Sequence, residues 1–441
     1  LTGTLNAATQ VATIAGLVGT TYGRLLLMKL ALLLPILALA AVNRRRHLPQ
    51  LGGEGATVGR PAMRRLARFV GCEAALALLL LAVVAVMSAT PPARHEAPDW
   101  PFAFRLTTAV LDDAPALRAR ALVGSQMAVL GLVGLLVAVF VGAGRLALAG
   151  GALVVLAAGA GLALPALAVD AYPTTYLRPA VPYQALSIAT GAGLYQTHCA
   201  SCHGATGAGD GPAGRSLPRP PADLRAPHTA QHTAGDLFWW ISQGISQMPA
   251  FGDRLTVEER WDLVNFLRAL SSGHAARGLG AAGALERPWL VAPDASFAVG
   301  PTPPRALTEY RGRRIVLLVL YALPASRPRV TLLAQNYDIL AALGVEVIAV
   351  PVDAAADALR ALGAEPRIVF PVVTDGAAEI AAAYGLFAAA PHAEFLIDRQ
   401  GYIRAIARSH GEAGELNPLL AAIQQLNEEK SPLPAPEEHV H

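Results

Sequence analysis

Two of the chain's three cysteines lie three residues apart and are followed at once by a histidine. Cys199, Cys202 and His203 stand in the stretch "CASCH", and Cys72 is far from them in the sequence. On one helical turn, two thiols at this spacing can reach the two vinyl groups of a haem, and the adjacent histidine then falls beneath the iron. The motif therefore predicts covalent attachment of one c-type haem, with His203 as an axial ligand.

Two other kinds of site use a Cys-x-x-Cys pair. A thioredoxin-like dithiol favours a strand before the motif and has no need of the histidine. Half of a zinc site requires two further ligands nearby. Haem attachment uses all three residues of the motif, so it is the interpretation that we carry forward.

A second axial ligand is predicted downstream of the motif. A Gly/Pro-rich loop, "GDGPAGRSLPRPPADL", is followed by "QMPAF", and Met248 is the only methionine after Met127. A His/Met pair fills both axial positions and raises the reduction potential, which suits electron transfer. Packing in the core is the alternative for Met248. His228, His232 and His274 are the alternative ligands, and we expect the first two at the surface of a polar loop.

The residues around the motif predict a small helical domain. An amphipathic final helix follows from the apolar positions Trp261, Leu263, Val264, Phe266, Leu267 and Leu270. Thr256 and Glu259 form a capping box at its start. Residues 185–272 resemble class I cytochrome c domains. This resemblance implies Cys199 and Cys202 for the thioether bonds, and His203 and Met248 for the iron.

Composition places part of the chain in a membrane. The chain is 54% hydrophobic and 15% charged, and spanning a bilayer takes about 20 mostly apolar residues. Four runs meet this requirement, residues 24–42, 69–89, 122–142 and 146–168, and the apolar stretch 11–19 is a candidate for the end of a fifth. The chain begins at Leu1 with no methionine, basic segment or cleavage site, so we expect an upstream portion.

Charge predicts the orientation of these spans. Between the first and second runs lie seven arginines and one acid, Glu54, so this loop is predicted to be cytoplasmic. Alternation then places everything after Asp170 outside, in agreement with haem attachment, which happens outside the cytoplasm. A headgroup-binding or nucleic-acid-binding patch is the alternative for the arginines. The net charge of +3 is modest, and we expect no nucleic-acid partner.

The first membrane region resembles a copper-resistance family. "TTYGRLLLMKLALLLPILALAAVNRRRHLPQL", "EAALALLLLAVVAVMSATPPA" and "WPFAFRL" resemble the C-terminal part of CopD-type membrane proteins over roughly residues 1–110. The resemblance implies copper passage or binding in the periplasm, with several helices before Leu1. Cys72 is expected to be a small buried apolar side chain. Glu73 is expected to pair with Arg68 or another neighbour, or to be functional.

The C-terminal region predicts an α/β sheet covered on both faces. Apolar strands, "RIVLLVLYAL", "VEVIAVPVD", "RIVFPVVTD" and "AEFLIDRQGYIRAIA", alternate with helices. The order resembles thioredoxin-like redoxins of the peroxiredoxin and Sco type. Ala325 and Pro328 stand where redoxins carry cysteines, and no cysteine follows Cys202. Because thiolate chemistry needs a thiol, we expect a docking or binding module. His392 and the terminal "EEHVH" are candidate metal ligands, with a structural role as the alternative.

These observations give a multidomain protein: an α-helical transmembrane bundle, an all-α cytochrome c domain and an α/β thioredoxin-like domain. The predicted boundaries are 1–110 CopD-like, 111–170 helix pair, 171–275 monohaem cytochrome c, 285–430 thioredoxin-like and 431–441 tail. We expect a bacterial inner-membrane electron carrier whose cytochrome and thioredoxin-like domains lie in the periplasm. Its expected cofactor is one haem c, with copper as a possible second, and its expected partners are periplasmic or respiratory-chain redox proteins.

Two rival functions remain open. One is copper transport or copper resistance with an accessory cytochrome domain. The other is an enzyme that acts at the haem, which requires an open coordination position on the iron.

Overall fold

The computed structural model describes residues 10–11, 13–47, 60–111, 114–278, 290–353, 368–409, 414–429 and 436. The chain divides into two compact units. The first comprises residues 1–108 and 116–178, and the second comprises residues 109–115 and 179–441.

The first unit is built from long apolar helices. They are α1 Ile14–Gly19, α2 Thr21–Val42, α3 Arg60–Ser88, α4 Pro115–Phe140 and α5 Arg145–Leu167, with a short antiparallel ladder of β1 Phe104–Leu106 and β2 Ala168–Asp170. Four of the helices are long and apolar enough to cross a membrane. Each of them contains most of one predicted run, although α3 and α4 begin nine and seven residues before the predicted starts at 69 and 122. This agreement confirms the helical transmembrane bundle.

Helices α2 and α3 are joined by a polar contact. The side-chain amide of Asn43 donates a hydrogen bond of 3.1 Å to the Glu73 carboxylate, so the neighbour that Glu73 pairs with is Asn43. Cys72, which we expect to be buried, is instead exposed on α3. A small apolar side chain needs no protein cover when its helix surface faces lipid.

Helices α4 and α5 approach each other through glycines. A Cβ atom at Gly131 would lie 2.6 Å from the backbone nitrogen of Leu156, and one at Gly124 would lie 2.6 Å from that of Ala163. Small residues at such positions let helix backbones pack closely in lipid.

The second unit begins with a helical region. Its helices are α6 Ala185–His198, α7 Ala200–His203, α8 Pro227–Gln231, α9 Ala234–Gln243 and α10 Val257–Ala275. Helix α6 packs against α10, and a side chain at Gly191 would collide with the backbone of Asp262. The predicted capping box is confirmed: the Thr256 backbone N–H donates to Glu259 at 2.8 Å, and the Glu259 N–H donates to Thr256 Oγ1 at 3.2 Å.

The rest of the second unit is a mixed sheet with helices on both faces. The strands of this region are β3 Leu290–Val291, β4 Ser296–Phe297, β5 Arg305–Ala306, β6 Ile315–Tyr321, β7 Val345–Pro351, β8 His392–Ile397 and β9 Tyr402–Ser409, and its helices are α11 Arg327–Gln335, α12 Tyr337–Ala342, α13 Ala377–Gly385 and α14 Asn417–Glu428. Strands β4 and β5 form a separate two-stranded antiparallel sheet. The five-stranded order is β3-β9-β8-β6-β7. Strands β6 and β7 are parallel, and the other neighbours are antiparallel. Core residues of α13 lie on one face, and those of α11 and α14 lie on the other.

The predicted third strand is not a strand in its described part, residues 368–375. It pairs with the sheet only through the bridge between Ala349 and Val372. Pro371 precedes the bridge, and a proline lacks the N–H that a continuous ladder needs.

Two further elements differ in detail from their predictions. The segment "AEFLIDRQGYIRAIA" is a hairpin of β8 and β9. The helix expected over 327–343 is divided into α11 and α12 at Asn336, whose side chain donates to Leu332 O at 2.8 Å. The helix predicted between 353 and 367 falls almost wholly outside the described residues.

Candidate haem site

The Cys-x-x-Cys-His motif forms one tight helical turn. The backbone N–H of Cys202 donates to Cys199 O at 3.1 Å, and that of His203 donates to the same oxygen at 2.9 Å. Helix α7 ends at Gly204, whose φ of +78° is a conformation that favours glycine. Tyr195 stabilises this turn, because its hydroxyl donates to Gly204 O at 2.7 Å.

The motif opens on an apolar cavity of about 290 Å³. Three of the four predicted site residues line it, Cys199, His203 and Met248. Its apolar walls include Leu237, Ile241, Phe251, Leu263 and Leu267. Cys202, the fourth, is half-buried on α7. One cavity therefore collects a thiol, an imidazole and a thioether in apolar surroundings, which is a donor set that fits a haem.

One ring nitrogen of His203 has a backbone partner. Its Nδ1 lies 3.3 Å from Ala222 O, and when Nδ1–H donates to that carbonyl, Nε2 keeps its lone pair. Burial lowers the pKa of His203, with a smaller opposing effect from the Ala222 hydrogen bond. The neutral imidazole, which is the form that binds a metal, is therefore favoured.

Burial also affects the first cysteine of the motif. It raises the pKa of the Cys199 thiol to about 11, with a smaller contribution from the nearby Cys202. Cys199 is therefore a protonated thiol at neutral pH, unlike the activated thiolate of a dithiol redox site.

A turn after α9 holds Met248. The backbones of Ile245 and Met248 exchange hydrogen bonds of 3.2 and 2.9 Å. The turn begins at Gly244, whose φ is +76°. The N–H of Phe251 then donates to Ile241 O at 3.0 Å, which fixes the segment that carries Met248 against α9.

Two histidines expected at the surface also line the cavity. His228 lies on α8 and His232 follows that helix. His228 is exposed, whereas His232 is partly buried and its ring packs edge-on against Trp240 at a centroid distance of 4.7 Å. Sequence reasoning named both as candidate ligands but placed them only on a polar loop. Their proximity to the cavity depends on how α8 folds back over it.

The candidate residues of the sheet region lie elsewhere in the second unit. Ala325 and Pro328 are exposed around the start of α11. His392 is 1% exposed, and its Nε2 lies 3.0 Å from the Glu394 carboxylate. Arg329 donates to the same carboxylate at 2.6 and 2.9 Å. Among the described residues, no group of three His, Cys, Asp or Glu side chains has the arrangement of a metal site.

Comparison with protein families gives three matches along the chain. Residues 1–87 match the model of Copper resistance protein D, residues 187–267 match that of cytochrome c oxidase, cbb3-type, subunit III, and residues 291–406 match that of the AhpC/TSA family. The search of curated proteins gave no significant match.

Part of the chain also resembles solved structures of thiol:disulfide interchange proteins and peroxiredoxins. A thiol:disulfide interchange protein DsbE from Chlorobium tepidum is 26% identical, with 31% of this chain and 98% of that chain covered and a TM-score of 0.27. A thiol:disulfide interchange protein from Bacteroides sp. is 16% identical, with 33% and 94% covered and a TM-score of 0.28. Plasmodium vivax 2-Cys peroxiredoxin is 21% identical, with 31% and 94% covered and a TM-score of 0.27.

The three family matches confirm the three predicted resemblances. The cytochrome match implies covalently bound haem c, for which the cavity supplies fitting residues. The chain is a membrane protein that combines a CopD-type region, a c-type cytochrome domain and a thioredoxin-like redoxin domain.

Proposed function

We propose that the protein is a membrane-anchored c-type cytochrome that carries single electrons, with Cys199 and Cys202 bonded to the haem and His203 and Met248 as its axial ligands. The observation that carries this proposal is the apolar cavity lined by Cys199, His203 and Met248 together. A haem bound there supplies one-electron chemistry at iron without a change of ligands.

The chain's own residues hold the group and keep water from it. Ala222 O orients the His203 ring, and the backbone pairing of Ile245 with Met248 fixes the thioether loop. Apolar walls such as Leu263 and Leu267 exclude water, which favours the higher reduction potential of a His/Met site.

Location and partners follow from the orientation of the spans. We place the arginine-rich loop in the cytoplasm and the cytochrome and redoxin domains in the periplasm of a bacterial inner membrane, within the boundaries 171–275 and 285–430. The partners are then periplasmic or respiratory-chain redox proteins.

Copper transport or copper resistance is the second candidate function. The observation that favours it is the match of residues 1–87 to Copper resistance protein D, and in this case the cytochrome serves the handling of copper. Metal analysis of the detergent-extracted protein separates the two: one haem and no copper supports the carrier, and stoichiometric copper supports copper handling.

The ligand assignment is tested by replacing Met248 with alanine. The variant is expected to lose the weak red-region absorption of a methionine bond to ferric iron and to have a lower reduction potential. Absorption spectra and spectroelectrochemistry of the full chain measure both quantities. Met63→Ala, on α3, is the matched control and should leave both unchanged.

An unchanged spectrum in Met248→Ala would contradict Met248 as the sixth ligand. His228 and His232 line the same cavity, so Met248→Ala would then be combined with His228→Phe or His232→Phe. A spectral change in only one of these combinations would identify the histidine that binds the iron.

A further inference from the structure

The cytochrome and redoxin regions share one hydrophobic core. The cluster of buried side chains that contains Ile188 and Phe266 of the cytochrome region also contains Tyr384 and Phe387 of the redoxin region. All four are at most 4% exposed. Helix α6 packs against α13 of the redoxin region. The two regions are therefore connected by packed side chains as well as by the polypeptide chain.

The end of α10 lies directly on the redoxin backbone. Gly273 is buried. A Cβ atom at this position would collide with the carbonyl group of Leu386, because it would lie 2.7 Å from the carbonyl carbon. It would also lie 3.2 Å from the backbone nitrogen of Phe387. A larger residue at Gly273 must push the helix away from this segment. Glycine inside a helix destabilises the helix. The close approach of two backbones explains why a glycine stands at position 273.

Hydrogen bonds fasten both ends of the α6–α10 helix pair to the redoxin region. At the start of α6, Ala185 N donates to Asp294 O at 2.7 Å, and Asp294 N donates to Tyr183 O at 3.0 Å. At the end of α10, the Arg408 guanidinium donates to Ala276 O at 3.1 Å and to Phe387 O at 3.0 Å. The pair is therefore held at two separate points.

The same two helices form a wall of the haem cavity. Tyr195 of α6 and Leu263 and Leu267 of α10 line it. A displacement of either helix from the redoxin region would consequently move residues of the cavity wall, because packed helices transmit shifts through their side chains.

We propose that the cysteine-free redoxin region acts as a brace for the cytochrome domain, fixing α6 and α10 so that the haem cavity keeps its shape. This role needs no thiol. The redoxin region can therefore perform it although Ala325 and Pro328 stand where other redoxins carry cysteines. The effect on the haem rests on the proposed function, whereas the joint unfolding of the two regions does not.

The test uses the full haem-loaded chain in detergent, with hydrogen–deuterium exchange measured over increasing urea. In the unaltered protein, peptides of α6 and β6 should lose protection at the same urea concentration. In Gly273→Ala, the α6 peptides should exchange about tenfold faster or more at low urea, and the haem absorption should change at a lower urea concentration than in the unaltered protein.

Gly193→Ala is the matched control. Gly193 is an exposed glycine of α6, and a Cβ atom there meets nothing within 4 Å. Alanine is the better helix former at both positions, so Gly193→Ala should leave protection unchanged or increase it. Arg408→Ala removes two hydrogen bonds without a collision and should act in the direction of Gly273→Ala, which keeps the test decisive if Gly273→Ala does not fold.

Two results would overturn the brace. One is loss of α6 protection in the unaltered protein at a urea concentration where β6 remains protected. The other is Gly273→Ala and Arg408→Ala both behaving like Gly193→Ala. A missing methionine–iron band in the unaltered protein would instead contradict the ligation by Met248 and leave the exchange result standing.

Discussion

Glu394 carries a negative charge inside the redoxin core. It is 3% exposed and accepts hydrogen bonds from Arg329 and His392. Burial alone would raise the pKa of Glu394, but these hydrogen bonds and the Arg329 charge outweigh burial and hold the pKa at about 2. The carboxylate therefore stays ionised and balances the buried guanidinium.

This lowered pKa predicts a loss of stability in acid. The unperturbed pKa is 4.5 and the folded value is about 2, so the contribution of Glu394 is fully present above pH 4.5 and is lost as the pH falls towards 2. Urea unfolding between pH 7 and pH 3, followed by exchange of β6 peptides, measures this loss.

Replacing the carboxylate sharpens the same prediction. Glu394→Gln removes the buried negative charge that accepts two hydrogen bonds from Arg329. Loss of one charge of a buried ion pair typically costs about 3–5 kcal/mol at neutral pH, and the substitution should flatten the pH dependence of stability. Glu428→Gln, at an exposed position of α14, is the control. If the free energy of unfolding depends on pH equally in Glu394→Gln and in the unaltered protein, the lowered pKa of Glu394 is not the cause of the acid sensitivity.

Sequence reasoning at the residue scale worked where the chemistry is local. Cys199, Cys202 and His203 are adjacent in sequence, and one helical turn brings them together. Met248 was predicted because it follows the motif in a Met-Pro segment, and it lines the same cavity. The Arg329–Glu394–His392 cluster was not predicted, because it joins a helix and a strand that are 65 residues apart.

Helices α4 and α5 illustrate the scale of elements. Their length and hydropathy predict two spans, but their closeness depends on which glycines face each other. Gly131 lies against Leu156, whereas a Cβ atom at Gly150 meets nothing within 4 Å. Identical residues in one helix pair thus have different roles, which the apolar pattern alone does not distinguish.

We expect Gly131→Val to destabilise the helix pair. The added side chain overpacks the contact with Leu156, which typically costs about 1–3 kcal/mol. Titration of the purified protein with SDS, followed by circular dichroism, measures the unfolding of the helices. Gly150→Val, with the same change in helix propensity, should cost less, and equal losses for the two variants would argue against a close contact at Gly131.

Other elements show what sequence patterns can and cannot give. The capping box of α10 was predicted because Thr256 and Glu259 interact within one turn. The segment 367–375 was predicted as a strand from its apolar residues, and its described part forms only two isolated bridges, Val372 with Ala349 and Asp375 with Ala298. Local hydrogen bonding can therefore be predicted from the sequence. Strand pairing also depends on the side chains and backbone of the neighbouring strand, which lies far away in the sequence.

The orientation of the whole molecule in the membrane is a separate prediction. Seven arginines precede the second span, and they should keep that loop in the cytoplasm. Reporter fusions after residues 55, 105 and 435 are expected to report inside, outside and outside. A cytoplasmic signal at 435 would also contradict haem attachment, since the cofactor is attached outside the cytoplasm.

The final prediction concerns the redoxin domain in the whole protein. It has the sheet and the AhpC/TSA match of a redoxin, but no cysteine follows Cys202. Fold and activity can separate in this way, because Ala325 and Pro328 are exposed around the start of α11 and contribute little to the core. The full chain with Cys72→Ser should therefore reduce insulin disulfides in the presence of dithiothreitol no faster than dithiothreitol alone.

A gain-of-function variant provides the positive control for this test. Introducing Ala325→Cys and Pro328→Cys together places two accessible thiols around the start of α11, where the positive end of the helix dipole lowers thiol pKa values. This variant is expected to exceed the background rate while keeping the haem spectrum unchanged. If the Cys72→Ser chain, without the introduced cysteines, reduces insulin faster than dithiothreitol alone, disulfide chemistry does not need thiols at positions 325 and 328. That result would exclude a purely structural redoxin domain.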